Sequence, residues 1–504
     1  MNPIKKLAGQ TAIYGISSIL GRLLNYLLVP LHTRYFMADQ YGTVTEMYAY
    51  VVFLIVILTY GMETAYFRYS NLEEDKNKVF STANISLLFT SAIFIGAVWI
   101  FAQPIATVLE YPNHSEYIIW FSLIVALDAV TAIPFAKLRA ENKAKRFAVV
   151  KLINIGINIV LNIFFIVLCP YLMKEGSPAV QEFVAKIYDP SLGIGYIFIA
   201  NLIASVATFL LLIPEYFSVK YRFDGKLWRT MFSYGWPLII IGLAGSINET
   251  MSRVLIKYLM PEDIAMRELG IFGACYKVSI IMAIFIQAFR FASEPFFFAQ
   301  SKEKDAKQLY ADVMKYFIII CLFIFLTVVL YIDIVKYFVG SDFYEGMKVV
   351  PVLLLANMLL GIFFNLSIWY KLTGETKFGA YLSVAGAIIT LGLNIWWIPI
   401  FGYMGSAWVT LICYGIMTIA SFIWGQKKFP VPYPVFRMLF YIVLAVAIYI
   451  ASIEIPFVEK NLTFVINTLL MLVFVTVIMV IEKISLRRIG GMFKGSNGAN
   501  EDIH

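Results

Sequence analysis

Residues 378–424 read FGAYLSVAGAIITLGLNIWWIPIFGYMGSAWVTLICYGIMTIASFIW, apolar nearly throughout. A helix needs about twenty apolar residues to span the hydrocarbon core of a bilayer, so this run is too long for one crossing. It divides at Pro399-Ile400-Phe401-Gly402, where proline and glycine mark a turn. Two spanning helices, 379–399 and 402–425, meet there. Outward toward the N-terminus the same reading gives spans over 348–370, 311–335, 268–290, 232–258, 193–214 and 147–170, then 116–137, 79–101, 42–66 and 10–34. Toward the C-terminus it adds 435–455 and 462–481. The sequence predicts an all-α integral membrane protein of about fourteen transmembrane helices.

Composition agrees. Of 504 residues 61% are hydrophobic and 14% charged, with a mean hydropathy of +0.79. A soluble domain is about half apolar and a quarter charged, so the excess apolar surface must face lipid. The net charge of +8 does not imply a nucleic-acid partner, because no compact basic domain holds it. Cys169, Cys275, Cys321 and Cys413 lie inside apolar runs without CxxC spacing and read as small buried hydrophobes. No cleavage site closes the first apolar run, so the first helix is expected to remain as a signal anchor. Three histidines, with no nucleophile elbow, P-loop or paired metal-ligand motif, leave no basis for an enzyme or a cofactor.

The basic residues follow topology. The even-numbered connections carry Arg68, Lys76 and Lys78; then Lys137, Arg139, Lys143, Lys145 and Arg146; then Lys220, Arg222, Lys226 and Arg229. Arg290, Lys302, Lys304 and Lys307, then Lys371 and Lys377, then Lys427, Lys428 and Arg437 continue the series. The opposite loops are poor in lysine and arginine. By the positive-inside rule both termini are expected to be cytoplasmic.

The chain also repeats. Tyr14-Gly15 answers Tyr234-Gly235, and Tyr41-Gly42 answers Leu269-Gly270. Leu138-Arg139-Ala140-Glu141 and Leu161-Asn162-Ile163 answer Leu372-Thr373-Gly374-Glu375 and Leu393-Asn394-Ile395. An even number of spans per copy makes the repeats parallel, related by an axis along the membrane normal. The expected division is a six-helix lobe over 1–220, a second over 221–430, two additional helices over 431–482 and a cytoplasmic tail over 483–504. A substrate cavity is expected between the lobes.

Ionisable residues inside spans are expensive and need a reason. Thr11, Gly15, Ser18, Arg22, Asn25, Val29 and His32 recur at alternating spacings of four and three, a polar stripe on one helix face. Gly242, Gly245, Glu249, Ser252 and Arg253 form a second stripe, while Lys277, Asp128, Glu46 and Glu63 lie in other spans. At 1.5 Å per residue Arg22 and Asp128 are about 18 Å, and Lys277 and Glu249 about 13–14 Å, from their outer helix ends. Mid-depth cations on both lobes make a seat for an anion. Arg22, Asn25, Arg253 and Lys277 are therefore the candidate substrate-binding residues, with Ser18, His32 and Glu63 lining the cavity. Asp128, Glu249 and Glu46 are candidates for ion coupling. The plainer alternative is that Glu249 neutralises Arg253 one turn on, or that Arg22 pairs with Asp128 or Glu249 as an interhelix tie.

The segment Gln10–Leu20, the stretch Pro30-Leu31-His32-Thr33-Arg34-Tyr35-Phe36 with Tyr41-Gly42 nearby, and the Leu138-Arg139-Ala140 echo resemble bacterial polysaccharide-biosynthesis flippases. These belong to the multidrug/oligosaccharidyl-lipid/polysaccharide exporter superfamily. The resemblance implies alternating access around a cationic cavity in the bacterial cytoplasmic membrane. It implies an undecaprenyl-diphosphate-linked oligosaccharide, with an anionic diphosphate head group, as substrate. Membrane lipids and polysaccharide polymerase or assembly proteins are the implied partners. In the related peptidoglycan-precursor flippases, arginines on the first and eighth helices meet the diphosphate; Arg22 and Lys277 stand on comparable helices. The double-arginine pattern of that first helix is absent, which argues against that precursor as substrate. The alternatives are a cation-coupled multidrug exporter of the same superfamily and a non-transporting scaffold of a polysaccharide-assembly complex.

Overall fold

The computed structural model describes residues 19–21, 23–24, 26–301, 303, 305–454 and 460–483. Among the described residues the secondary structure is helical, without strands. A short helix α1 (Leu28–Tyr35) ends the first predicted span, most of which, with Ser18, Arg22 and Asn25, lies outside the described residues. Twelve helices long and apolar enough to cross a membrane follow. They are α2 (Ala38–Leu72), α3 (Lys76–Ile100), α4 (Ser115–Ala140), α5 (Ala144–Glu175), α6 (Gly195–Phe217) and α7 (Gly225–Leu259). After these come α8 (Glu262–Phe298), α9 (Ala306–Leu330), α10 (Ser341–Leu372), α11 (Lys377–Lys428), α12 (Val435–Ile453) and α13 (Leu462–Ile481).

Drawn straight, the 52 residues of α11 would measure about 78 Å, more than twice a hydrocarbon core. The helix instead breaks at Gly402, whose φ of 59° and ψ of −149° suit a residue without a Cβ. Its two arms then lie side by side: Ser406 Oγ donates to Asn394 Oδ1 at 2.7 Å, and Cys413 Sγ lies 3.3 Å from the Gly386 carbonyl. α11 is thus two crossings, divided where Pro399–Gly402 predicts.

Helix starts are set by side chains that accept the free backbone N–H groups of the first turn. Asp75 takes the Lys78 N–H at 3.1 Å to begin α3, and Asp224 takes those of Lys226 and Leu227 at 2.8 and 3.0 Å to begin α7. Lys78 Nζ also reaches Asp224 at 2.5 Å. That bond, with the Leu227 N–H, holds the Asp224 carboxyl down at about 2.

Repeat-related residues meet in space. Gly42 on α2 and Gly270 on α8 let two backbones touch: a Cβ on Gly270 would run into the Ala38 carbonyl and come within 2.9 Å of the Gly42 nitrogen. A Cβ on Gly42 would strike the Met266 carbonyl. Close approach at small residues is how helices associate where the lipid itself is apolar. The matched asparagines Asn162 and Asn394 are both buried, and each ties one helix to another.

By packing, the described helices form two compact units, one up to Ala299 with Phe338–Lys428 and one of Gln300–Tyr337 with the residues from Phe429 on. In the second unit α9, expected within the second lobe, is tied to the last two helices. Lys315 of α9 bridges Glu482 at 2.6 Å, Tyr441 of α12 donates to the same carboxylate at 2.5 Å, and Asn467 of α13 donates to the Leu330 carbonyl at 2.6 Å. A lysine buried in an apolar helix needs an acid, and here the acid lies just beyond α13.

Gly42→Val is expected to destabilise the fold by about 1–3 kcal/mol, because the added methyls meet backbone that cannot swing away. Gly96→Ala, where a Cβ meets nothing within 4 Å, is expected to leave the protein intact. Melting temperature and monodispersity in detergent compare the two.

Candidate substrate cavity

α5 carries a polar stripe that sequence reasoning passed over. Lys151, Asn154, Asn158 and Asn162 recur at three and four residues along an otherwise apolar span, and so share one face. Asn162 Oδ1 lies 2.8 Å from His32 Nε2 of α1, and its amide donates to Asn158 Oδ1 at 3.0 Å. Asn154 donates to Thr208 Oγ1 of α6 at 2.8 Å, and Asn201 of α6 to the Tyr48 hydroxyl of α2 at the same distance. His32, Tyr48, Asn154, Asn158, Asn162 and Asn201 wall a cavity of about 280 Å³. Arg253 of α7 and Lys277 of α8 complete its lining. Two cations from consecutive helices therefore face the same neutral amide and phenol donors, an arrangement suited to an anion.

Comparison with known proteins places this architecture. A model of the polysaccharide biosynthesis protein family matches residues 7–299, more than half of the chain. The chain belongs to the polysaccharide biosynthesis protein family. It is 21% identical over 425 residues to protein 1 of the Lsg locus of Haemophilus influenzae, covering 81% of this chain and 97% of that one. Its fold is that of a solved lipid II flippase MurJ in an inward closed conformation, with a TM-score of 0.71, 15% identity, and 93% and 99% of the two chains covered. An inward-facing multidrug resistance MATE family transporter is also similar, with a TM-score of 0.57, 15% identity and 84% and 93% coverage.

In this family member the described candidate residues other than Glu249 are dispersed over three places. Arg253, Lys277 and His32 line the cavity just described. Arg253 also stacks its guanidinium 4.2 Å from the centre of the Tyr276 ring, and no ion pair joins it to Glu249, which is exposed and lines neither this cavity nor the next. Neutralisation of Arg253 by Glu249 is therefore not how its charge is accommodated.

Asp128 and Glu63 open on a second cavity of about 510 Å³, bounded by α2, α4, α5 and α6. There Asp128 Oδ1 accepts from Ser205 at 3.1 Å, Glu63 pairs with Arg139, and Lys151 lies over the Phe135 ring. Asn154 and Asn201 line both cavities, so polar side chains run continuously from one to the other.

Glu46, a candidate for ion coupling, instead lies in a dry ion pair. Its side chain is 0% exposed and that of Lys257 on α7 is 3% exposed. Lys257 Nζ reaches both Glu46 oxygens at 3.1 and 3.2 Å and donates to the Leu109 carbonyl at 2.6 Å. Tyr50 and Tyr111 donate to the carboxylate at 2.6 and 2.5 Å, and Tyr50 meets Tyr258 at 2.9 Å. The cluster fastens α2, α7 and the 101–114 connection at the base-poor end of the bundle. Lys257 stands one residue from the end of its predicted span, and that position hid it; its spacing from Arg253, one turn earlier on the same helix, was the available signal.

Desolvating both charges costs several kcal/mol, which only a full set of hydrogen bonds offsets. Lys257→Met alone is expected to destabilise by about 3–5 kcal/mol because Glu46 is left buried and unpaired. Glu46→Leu combined with Lys257→Met is expected to recover most of the loss. Thermal unfolding of Lys257→Met, Glu46→Leu and the double variant measures it, and additive losses in the double variant would mean the two charges act separately.

Proposed function

We propose that this protein is a flippase moving an undecaprenyl-diphosphate-linked oligosaccharide from the cytoplasmic to the outer leaflet of the bacterial cytoplasmic membrane, by alternating access. The observation that carries this reading is the convergence of Arg253 and Lys277 on one polar cavity among membrane-spanning helices. A diphosphate bearing sugars does not cross hydrocarbon unaided, because desolvating it is prohibitive. A wet path lined by cations and amides replaces its water, while the polyprenyl tail stays in lipid. Membership of a polysaccharide biosynthesis family supports a sugar-bearing cargo.

The loop charges support an orientation with the base-rich connections in the cytoplasm. The Lys257–Glu46 cluster then lies at the outer end, and its ion pair closes α2 against α7 there. The sequence echoes support two lobes that rock about the cavity, and Arg22 and Asn25 of the first helix are proposed as further groups for the anion. An inside-negative potential favours outward movement of an anion by about 2.3 kcal/mol per charge per 100 mV, so no obligatory co-ion is required. Asp128, facing Lys151 and Ser205, is the residue on which a coupling ion would act if one is used. A cavity presenting two cations is a poor seat for an organic cation, which sets the multidrug exporter second. Polymerase and assembly proteins would receive the product at the outer face.

Reconstituted vesicles carrying a fluorescent undecaprenyl-diphosphate oligosaccharide test this. Arg253→Ala and Lys277→Ala are each expected to slow flipping roughly ten- to a hundredfold, the equivalent of one charged contact of about 1.5–3 kcal/mol. Wild-type rates in both variants remove the cations from the mechanism. A protein that moves no lipid-linked sugar but exports organic cations, or moves nothing, establishes the exporter or the scaffold instead.

Clamping the membrane potential separates the driving forces. Flipping is expected to rise with inside-negative potential and to survive collapse of proton and sodium gradients. Flipping that persists at zero potential but stops when a gradient collapses makes a co-ion obligatory.

A further inference from the structure

A crevice of about 460 Å³ lies against the other faces of α2 and α7, two of the helices that bound the cation cavity. Met47, Val51 and Leu54 of α2 form one wall, and Met251 and Val254 of α7 another. Phe94 and Val98 of α3, with Ile118 and Phe121 of α4, close the rest. The exposed wall is carbon. The few polar groups at its edge are already occupied: Ser122 Oγ donates back to the Ile119 carbonyl at 2.7 Å, and the Tyr50 hydroxyl is held by Glu46 and Tyr258. Water there would find no hydrogen bond to make, so the space suits hydrocarbon. Beside it α3 presents Ile93, Trp99 and Ile100 exposed, an apolar rim continuous with lipid.

What selects the occupant is the relation of the two spaces. On α2, Tyr41 and Tyr48 face the cation cavity while Met47 and Val51 face the crevice. On α7, Arg253 faces the cavity, and Met251 and Val254 on either side of it face the crevice. The α2–α7 seam lies between the space suited to an anion and the space suited to a hydrocarbon chain. The seam is closed along its length. Gly61 abuts Gly235, a Cβ on Gly242 would come within 2.9 Å of Val56, and Lys257 holds Glu46 at the far end. An amphiphile with an anionic head and one long tail has the polarity and the layout of the pair.

We propose that this crevice seats a segment of the substrate's polyprenyl tail, and that the α2–α7 seam, fastened by Lys257 and Glu46, parts to let head and tail occupy the two seats together. The proposal rests on the lipid-linked substrate argued above.

The test is photolabelling of the purified full chain in phospholipid nanodiscs. The probe is undecaprenyl phosphate carrying a diazirine within its tail; the control is phosphatidylethanolamine carrying a diazirine on its acyl chain. Peptide mass spectrometry is expected to place polyprenyl label at Val51, Leu54, Val98 and Val254, competed by unlabelled undecaprenyl phosphate. Val51→Phe and, from the opposite wall, Val98→Phe are each expected to reduce that label roughly four- to fifteenfold, the loss from burying one or two fewer methylenes. Because the map on wild-type protein needs no substitution, a variant that misfolds leaves the test intact. Label confined to other helices, or crevice label equal from both probes and not competed by undecaprenyl phosphate, overturns the seat. If wild-type protein flips lipid-linked oligosaccharide while polyprenyl label falls elsewhere, the crevice proposal fails alone. If no competable polyprenyl label forms anywhere on the chain, the lipid-linked substrate fails with it.

Discussion

In the hydrocarbon core no water is present to satisfy a polar group, so each charge placed there must be answered by the protein itself. The position of almost every ionisable side chain here follows from that constraint. Glu46 and Lys257 answer each other directly and recruit two phenols and a carbonyl to complete their hydrogen bonds. Lys315 and Glu482 do the same in the second unit. Arg253 and Lys277 are set differently: both line a cavity walled by amides and phenols, and Arg253 also stacks on the Tyr276 ring. A sealed pair and a cation on a cavity are two different answers to the same constraint.

The constraint also explains which features could be read from the sequence. Span positions were legible because apolar length has one meaning in a bilayer; even the reversal at Gly402 is announced by Pro399 and the glycine itself. Gly42 and Gly270, matched in the sequence by a short echo, turn out to touch. Partnerships were not. Glu46 had the same local signature as Asp128, an acid within an apolar span, yet one lies in a dry pair and the other opens on a cavity. What separates them is the neighbouring helix, and helix adjacency depends on packing that periodicity does not encode. The asparagines of α5 were missed for a simpler reason: neutral amides do not stand out as charges do, although Asn154, Asn158 and Asn162 recur every fourth residue as plainly as the stripe on the first span. The grouping of α9 with α12 and α13 has the same origin, since only Glu482 discloses where Lys315 must go.

A transporter that closes one end with a buried ion pair gains a two-state element. Such a pair contributes little net stability when intact, because desolvation nearly cancels attraction. It strongly disfavours half-open arrangements, in which one charge is stripped of its partner before water reaches it. A seam fastened this way is closed or fully parted, with few states between. That is the behaviour alternating access requires, for a path wet at both ends would leak ions.

The two seats on opposite faces of α2 and α7 bear on selectivity as well. A cation pair alone accepts any small anion, and an apolar crevice alone accepts any lipid tail. Only a molecule that joins the two by a flexible link engages both, and only after the seam has parted. Energy released on filling the crevice and neutralising Arg253 and Lys277 would then offset the separation of Lys257 from Glu46. On that logic the conformational change is reserved for amphiphilic anions.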